Sequence, residues 1–373
     1  MSRHALDGSA HAGRIQTGGA TLLMCSLLMM LLAMAVLWTA RPLAAAQRVA
    51  ANDQRLAMAV QAADAGLAWA TAMLNTGRVD DNCRPTFDEG QDFRTRALRV
   101  DEAGQPIAAA PTRWLATCTH DGSQRWQCRC GDTSGASPMA DVSVPVPTAS
   151  DLATTFGIRL ADADVPGQFT LFSRGCGGAS TQCLLSDPPP QDGTGISEHI
   201  QHLALLSALR RPPATPLVAG PQAFVRVFGI PAGQYQLQPA MTRLRCTDQC
   251  VPEIRQALAR GRRLIWIDGS VTLREPLPDS PDGAPLMLLV DGQLDINTAM
   301  SFSGILYART GIEWAAPPGS RSTVKGALVT DGQLTLGGDP DGLRLEADPA
   351  LLRQIHLQMG SYLPVPGGWS HSR

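Results

Sequence analysis

The longest uncharged stretch of the chain lies close to its N terminus. The run from Ala20 to Ala40 contains no charged side chain, with Arg14 before it and Arg41 directly after it. An α-helix rises about 1.5 Å per residue, so about 20 apolar residues cross the ~30 Å hydrocarbon core of a bilayer. The pattern predicts a membrane-spanning helix, and the arginines of residues 1–19 weakly favour that flank in the cytoplasm.

A cleaved signal peptide is the alternative for this stretch. The apolar core of a signal peptide has about 7–15 residues and ends in a small-residue cleavage site. Residues 41–46, Arg-Pro-Leu-Ala-Ala-Ala, offer such a site. The run from Ala20 is longer than that core, which favours a retained helix.

A second hydrophobic pattern continues directly from the first. Apolar residues recur at spacings of three and four, which places them on one face of a helix. They are Leu56, Val60, Ala63, Leu67, Ala70 and Leu74. Pro42 is expected to kink the helix rather than end it, and Gly77 is a typical stop. Residues 20 to about 76 are thus predicted to form one helix about 85 Å long, apolar first and then amphipathic.

Short β-type segments recur from about residue 217 onward. Three of them carry Asp-Gly pairs, at 268–269, 291–292 and 331–332, and a Gly-Ile-Leu-Tyr unit at Gly304 returns as Gly-Ala-Leu-Val at Gly326. The steps from Gly269 to Gly292 and from Gly304 to Gly326 are nearly equal, whereas the step from Gly292 to Gly332 is almost twice as long. A period of roughly 22 with glycine corners favours stacked β-solenoid coils, with a twisted sheet of repeated hairpins as the alternative.

The segments in between complete the predicted organisation. Residues 113–128 indicate a hairpin around Asp121-Gly122, residues 133–150 a linker, and Ile196–Leu209 a helix by its spacing. We predict an α+β protein with a long N-terminal helix followed by a β-rich exported region. The predicted boundaries are 1–19 for an N-terminal leader, 20–77 for the helix, 78–150 for a disulfide-containing β region with its linker, 151–216 for a mixed αβ segment and 217–373 for a β-rich repeat domain.

The cysteines indicate an oxidising compartment. Cys25 lies in the apolar run, and eight cysteines follow it: Cys83, Cys118, Cys128, Cys130, Cys176, Cys183, Cys246 and Cys250. An even number in an exported region favours up to four disulfides. Cys176 with Cys183 and Cys246 with Cys250 would close short loops, although eight cysteines allow 105 connectivities. A metal site at Cys128, Cys130 and His120 is disfavoured, because C-x-C is not the usual zinc spacing.

Composition and motifs argue against several kinds of chemistry. A net charge of −2 with 17% charged residues disfavours a strongly basic nucleic-acid binder and an acidic disordered chain. The sequence has no phosphate-binding loop, dinucleotide fingerprint, zinc-protease motif or serine-hydrolase elbow. His199 and His202 are expected to be ordinary surface or core residues, and residues 339–342 a solvated turn rather than a calcium loop. No cofactor and no metal is predicted.

The three Asp-Gly pairs carry the one enzyme hypothesis. In stacked coils Asp268, Asp291 and Asp331 would form a carboxylate row, as in β-solenoid lyases that cleave polysaccharides with calcium. The alternative is that Asp and Gly mark turns because both tolerate positive φ. We expect no basic residue at a matching position to act as the general base, which favours the turns and a protein that is not an enzyme.

The N-terminal pattern resembles the PilX-type minor pilins of type IV pilus systems. That family has a short basic leader ending in glycine, a hydrophobic half-helix and an Ala/Gln-rich amphipathic half-helix. The matching residues are 16–23 (QTGGATLL), 51–55 (ANDQR) and 61–67 (QAADAGL). The specific similarity is confined to the end of the leader and the long helix, and residues 364–369 are loosely similar to the Pro-Gly-Ser-Trp stretch that closes the family.

The resemblance implies processing of residues 1–19. A prepilin peptidase would cleave after Gly19, with Gly18 as the nearby alternative, and would leave Ala20 as a methylated N terminus. Major pilins carry a glutamate at the fifth mature position, which pairs with the N-terminal amine of a neighbour. Here that position is Met24. A subunit without the glutamate cannot offer this pair to a subunit above it, which fits a place at or near the tip.

The resemblance also implies a function and partners. The helix would span the inner membrane once, with the C-terminal region in the periplasm, and would later pack its apolar stripe against neighbouring helices in an extracellular pilus. Expected partners are other minor pilins, the major pilin, a tip adhesin and the prepilin peptidase, with no nucleic acid. The protein would prime assembly and support twitching motility and cell adhesion. The alternatives are the large tip pseudopilin of a type II secretion system and, more distantly, a membrane-anchored polysaccharide-active β-solenoid protein.

Overall fold

A computed structural model of the chain describes residues 18–87, 90–120, 125–131, 153–177, 182–185, 195–246, 249–278, 283–337 and 342–372. The chain divides into two compact units, 1–54 and 55–373. The leader residues 1–17, the linker at 133–150 and most of the 339–342 turn lie outside the described residues.

The first part of the chain contains the long helix and most of an antiparallel sheet. Its elements are α1 (Gly18–Leu74), β1 (Arg78–Val79), β2 (Gln91–Asp92), α2 (Phe93–Ala97), β3 (Leu98–Val100), β4 (Pro106–Ala108), β5 (Ala116–His120), β6 (Trp126–Cys130), β7 (Thr154–Asp162), β8 (Gln168–Gly177), α3 (Gln182–Leu185) and β9 (Gly195–Ser207). The predicted long helix is confirmed, and it continues through Pro42.

The rest of the described chain is rich in short parallel strands. Its elements are β10 (Leu217–Ala219), α4 (Ala223–Phe228), α5 (Ala232–Tyr235), β11 (Thr242–Arg245), α6 (Val251–Ala259), β12 (Leu264–Asp268), β13 (Val271–Leu273), β14 (Leu286–Val290), β15 (Gln293–Ile296), β16 (Ser301–Ala308), β17 (Gly311–Trp314), β18 (Ser322–Thr330), β19 (Gln333–Leu336), β20 (Leu343–Glu346), α7 (Pro349–Gln358) and β21 (Gly360–Ser372).

An antiparallel sheet packs against the second half of α1. Its strand order is β21-β9-β8-β7-β5-β6, so the last strand of the chain lies beside β9. Phe156, Ile158 and Leu171 of the sheet share one buried cluster with Leu67 and Leu74 of the helix. The strand pairing of the predicted hairpin is confirmed as β5 with β6, whereas its turn at Asp121-Gly122 lies outside the described residues.

The predicted helix at Ile196–Leu209 is wrong, because this segment forms the strand β9. Ile196, Ile200 and Leu203 are spaced by four and three residues, which imitates a helical face. The buried side chains instead include Ser197, His199 and Leu203, and the strand hydrogen-bonds to β8 and β21 along its length. Polar residues at buried positions concealed the twofold alternation of the strand.

The predicted solenoid is confirmed and has four coils. Each coil pairs one strand of a large parallel sheet with one of a small parallel sheet: β12 with β13, β14 with β15, β16 with β17, and β18 with β19. The register sets Val290 opposite Ala308 and Ala308 opposite Thr330. The long interval from Gly292 to Gly332 therefore contains two coils, and Arg309-Thr310 replaces Asp-Gly at the corner between them.

Both faces of the large sheet are buried. Ile267, Leu288 and Leu306 point into the solenoid core, whereas Trp266, Leu289 and Tyr307 belong to a second cluster with residues of α4, α5 and α7. Strands buried on two faces read as continuous apolar runs, which explains why these segments show no alternation in the sequence.

Residues 208–359 form a region inserted between β9 and β21. Ser207 and Gly360 are register partners, so the insertion leaves and re-enters the antiparallel sheet at one point. The two clusters that stabilise the insertion contain only residues between 208 and 359, and the helix–sheet cluster contains none of them. The predicted repeat domain at 217–373 must be corrected accordingly, since β21 belongs to the antiparallel sheet.

Candidate assembly surface

The first half of α1 presents an apolar surface. Large side chains from Leu22 to Trp38 are exposed, and Trp38 reaches 83%. Within the described residues, one helix, Gly19–Leu74, contains a stretch long and apolar enough to cross a membrane. Contiguous exposed apolar surface of this size marks a site of contact with lipid or with other protein chains.

The residues of the predicted processing site lie at the start of this helix. α1 begins at Gly18, and Gly19 has no other group within 4 Å of where a side chain would begin. Met24, at the position where major pilins carry glutamate, is 71% exposed. A neutral thioether there needs no ionic partner in an apolar environment, whereas a carboxylate would.

Small residues bring the second half of α1 close to the sheet. Ala59, Ala62, Ala63 and Ala70 are buried, as is Gly66, which lies against Ser173 and the ring of Phe156. On the sheet side, Gly175 faces the backbone of Ala59, and Gly177 and Gly195 face the backbone of Arg55. A side chain at any of these sheet glycines would overlap helix backbone.

The apolar stripe of α1 divides into two parts. Leu67 and Leu74 are buried in the cluster with the sheet of the same chain, and Ala63 is buried beside Gly175, so the expectation that they pack against neighbouring helices is wrong. Leu56 and Val60 remain exposed, at 49% and 37%. The exposed part of the stripe therefore includes Leu56 and Val60 but not the residues after them.

A polar network joins the helix to the sheet, with His199 buried and the Asp64 side chain 56% exposed. Asp64 Oδ1 lies 2.6 Å from His199 Nδ1, and Ser197 Oγ lies 2.9 Å from His199 Nε2. The order of groups is that of a hydrolase triad, but Ser197 is only 9% exposed and is not presented to a substrate. His199 is therefore a core residue, and His202 lies on the same strand with its Nδ1 3.3 Å from Thr170 Oγ1.

Two arginines donate hydrogen bonds to backbone carbonyl groups at the C-terminal end of α1. Arg94 Nε donates to Leu74 O, and Arg262 Nη1 donates to Asn75 O at 2.7 Å. Asn75 in turn uses its side chain to donate to Tyr362 O and to accept from Tyr362 N. These bonds satisfy groups that a helix leaves free at its C-terminal end, and they tie α1 to both β21 and the inserted region.

The eight cysteines after α1 are all in disulfides. The local pairs Cys176–Cys183 and Cys246–Cys250 are confirmed, and the other four cysteines pair among themselves as Cys83–Cys130 and Cys118–Cys128. The zinc alternative at Cys128 and Cys130 is wrong, because each sulfur is bonded to another cysteine. Cys25 is free and exposed on the apolar part of α1.

The predicted row of acids exists at one corner of the solenoid. The strand registers align Asp268, Asp291, Arg309 and Asp331 on successive coils. The expectation that no basic residue has a matching position is wrong, because Arg309 stands there and pairs with Asp291 at 2.5 Å. Each carboxylate of the row thus has a partner within the fold.

The other two acids of the row are held by different groups. Asp268 accepts from Arg243 at 2.9 Å and from Arg245 at 3.2 Å; burial alone would raise its pKa, but these two arginines outweigh burial and hold the pKa below its ordinary value. Asp331 accepts from Tyr307 Oη at 2.8 Å and from Phe224 N at 3.0 Å. Both acids thus fix neighbouring coils and helices in place.

The corner glycines serve two different purposes. Gly269 has a φ of 92°, as the turn hypothesis requires. Gly292 and Gly332 do not have a positive φ. A side chain at Gly292 would come within 2.7 Å of the Gly269 backbone, and one at Gly332 would overlap the Thr310 backbone. At these two positions glycine permits the close stacking of coils.

The described residues contain no group of three His, Cys, Asp or Glu side chains that could hold a metal ion. No family model, curated protein or solved structure matches the chain.

Several residues that organise this structure were not identified from the sequence. No local pattern singles out Asp64, whose side chain is 56% exposed and meets His199 only because β9 packs against α1. Asn75, Arg94 and Arg262 act across long sequence separations, and no local pattern distinguishes them from surface residues. The corner at Arg309 was detectable, because Ala308 to Gly311 precedes a β-type segment as the three Asp-Gly pairs do.

Proposed function

We propose that this chain is a minor pilin that primes assembly of a type IV pilus and sits at or near its tip. The observation that carries the proposal is the division of α1: an exposed apolar first half, and a second half held against an antiparallel sheet by small residues. A helix of this kind is anchored in the inner membrane before assembly and in a bundle of helices afterwards.

Both the bilayer and the helical bundle of a filament require an apolar helix surface. In the bilayer the side chains from Leu22 to Trp38 contact lipid, and in a filament they contact helices of the major pilin and of other minor pilins. Without water in either environment, packing and small residues drive helix association. Leu56 and Val60 extend the contact into the periplasmic half.

Further observations support the exported location and the tip position. All four disulfides lie after α1 and suit the oxidising periplasm. Met24 cannot form the ionic pair with a subunit above it, and the inserted region adds a large body that a repeating shaft subunit does not need. That region is proposed to contact a tip adhesin, and its role is binding rather than catalysis.

Intact-mass and N-terminal sequence measurements on membrane-extracted protein test the proposal. Cells with and without prepilin peptidase are compared, together with Gly19→Ala and the matched variant Gly18→Ala. We expect a peptidase-dependent start at methylated Ala20 that Gly19→Ala abolishes. A start near Gln47, or an unprocessed chain in cells with active peptidase, would contradict it.

The large tip pseudopilin of a type II secretion system is the second candidate, since Met24 and the inserted region fit it equally well. Deleting the gene and counting surface pili, while measuring secreted enzymes in the same cultures, separates the two. Loss of pili with normal secretion supports the pilus, and the reverse result supports secretion.

A further inference from the structure

A cavity of about 470 Å³ lies at the C-terminal end of α1. It is enclosed by the end of the helix, the segment from α2 to β3, the loop before β12 and the junction of α7 with β21. Its volume falls in the range of about 300–1,000 Å³ that is typical of small-molecule sites. It is distinct from the assembly surface and does not depend on the proposed function.

The charges around this cavity are strongly unbalanced. Among the described residues, four arginines, Arg94, Arg99, Arg262 and Arg263, line it together with a single carboxylate, that of Asp92. The described lining thus carries an excess of positive charge. An excess of one sign in a partly closed space attracts ions of the opposite sign.

Two of the guanidinium groups are fixed in place by neutral acceptors. Arg94 donates to Gly360 O at 2.6 Å as well as to Leu74 O, and it stacks on the Tyr362 ring at 4.9 Å. Arg262 gives one of its five N–H donors to Asn75 O. Carbonyl oxygens orient these side chains but do not neutralise their charge.

Burial makes this excess of positive charge costly. It lowers the pKa of both Arg94 and Arg262, and for Arg94 the nearby charge of Arg262 lowers the pKa further, against the opposing effects of Tyr362 and Asp92. An anion bound in the cavity would offset this cost. Arginine suits that role because its planar fork binds carboxylate and phosphate groups with two hydrogen bonds.

Part of the wall is apolar, although polar side chains such as Thr95 and Gln358 also line it. Leu98, Val100, Leu264 and Met359 line the cavity beside the arginines. The site therefore presents a cationic part for a charged head group and an apolar part for an uncharged body.

We propose that this cavity binds a small organic anion, whose carboxylate or phosphate group is held by Arg262 and Arg99 and whose apolar body lies against Leu98 and Met359. Because the cavity joins the end of α1 to the inserted region, the bound anion would also stabilise that joint.

Calorimetric titration of the full chain in detergent tests the site. The probes are benzoate and phenyl phosphate. Benzyl alcohol is the control without a negative charge, and inorganic phosphate is the control without an apolar ring. The variants are Arg262→Gln, which keeps a donor for Asn75 O, and Arg99→Gln at the exposed rim. Arg344→Gln is the matched control, because the Arg344 side chain is exposed on β20.

We expect saturable binding of one molecule of at least one organic anion, weakened about tenfold or more by Arg99→Gln and by Arg262→Gln and unchanged by Arg344→Gln. Unfolding of Arg99→Gln without probe should match that of the native chain, so that a loss of binding is not a loss of fold. Three results would overturn the proposal: no saturable binding at millimolar probe, equal binding of benzyl alcohol, or equal binding in Arg99→Gln and Arg344→Gln.

Discussion

At the scale of single residues, three glycines decide how closely α1 lies on its sheet. Gly175, Gly177 and Gly195 face helix backbone rather than flexible side chains. Backbone cannot move aside without shifting a whole element, so these contacts are less tolerant than ordinary core packing.

Replacing Gly175 tests this contact. The side chain of Gly175→Ala would come within 2.5 Å of Ala63 N, and we expect a loss of about 1–3 kcal/mol in the free energy of unfolding, as for other overpacked sites. Chemical denaturation of the detergent-solubilised chain measures it. Gly233→Ala is the control, because no group lies within 4 Å of that position; equal stability of the two variants would refute the close contact.

The three tyrosines of the chain give a prediction on pH. Burial raises the pKa of Tyr235, Tyr307 and Tyr362, that of Tyr362 to about 12, and Asp331 raises that of Tyr307 further. Their folded pKa values lie above the unfolded value of 10.0, so their contribution to stability is complete below about pH 10 and is lost as the pH rises.

Phenolate absorbance during an alkaline titration checks this expectation. The folded protein should show no phenolate near pH 10, and the signal should appear together with the loss of far-ultraviolet circular dichroism. A tyrosine that titrates near its ordinary pKa while the fold is intact would contradict the burial of that residue.

At the scale of elements, periodicity identified α1 and the solenoid but failed at β9. A long apolar run or a repeat with a period of roughly 20 can be recognised within the segment itself, because the residues that specify the helix or the coil are close together in the sequence. The buried face of β9 contains Ser197 and His199, which hydrogen-bond to each other, and Asp64 of α1 supplies a further partner for His199. A pattern of apolar positions cannot reveal such a strand.

The exposed end of the helical stripe makes a prediction about assembly. Leu56→Glu and Val60→Glu should leave the free energy of unfolding within about 0.5 kcal/mol of the native value, because both side chains are exposed. They should reduce the number of surface pili, since each puts a charge into a contact between helices. Ala63→Glu should instead unfold the helix–sheet core.

Thermal unfolding combined with pilus counts by electron microscopy distinguishes these effects. Gln61→Glu is the control, because it introduces the same charge on the exposed surface of α1 outside the apolar stripe. Normal piliation in both Leu56→Glu and Val60→Glu would show that this part of the helix does not enter the assembly.

At the scale of the whole molecule, the inserted region has hydrophobic cores of its own. Removing residues 208–359 and joining Ser207 to Gly360 by a short turn should leave a folded helix–sheet unit with the disulfides Cys83–Cys130, Cys118–Cys128 and Cys176–Cys183. The reason is that no residue of the insertion belongs to the helix–sheet cluster.

Disulfide mapping and the cooperativity of unfolding measure the outcome. Some stability should be lost, because Arg262 no longer bonds to Asn75 O. Residues 208–359 alone are the reciprocal test and should form Cys246–Cys250 and unfold in one transition. A shortened chain with scrambled disulfides and no cooperative transition would show that the two parts fold only together.

The sequence by itself determined the elements whose cause is local. The apolar run and amphipathic stripe of α1, the disulfide-rich exported region and the glycine corners of the coils all follow from residues close together in the chain. Tertiary structure decided what depends on distant partners: the burial of Ala63, Leu67 and Leu74 within the chain, the return of β21 to β9, the Asp64–His199 pair and the arginine-lined cavity. These contacts join residues up to 287 positions apart, as for Asn75 and Tyr362, and only the packing of complete elements brings them together.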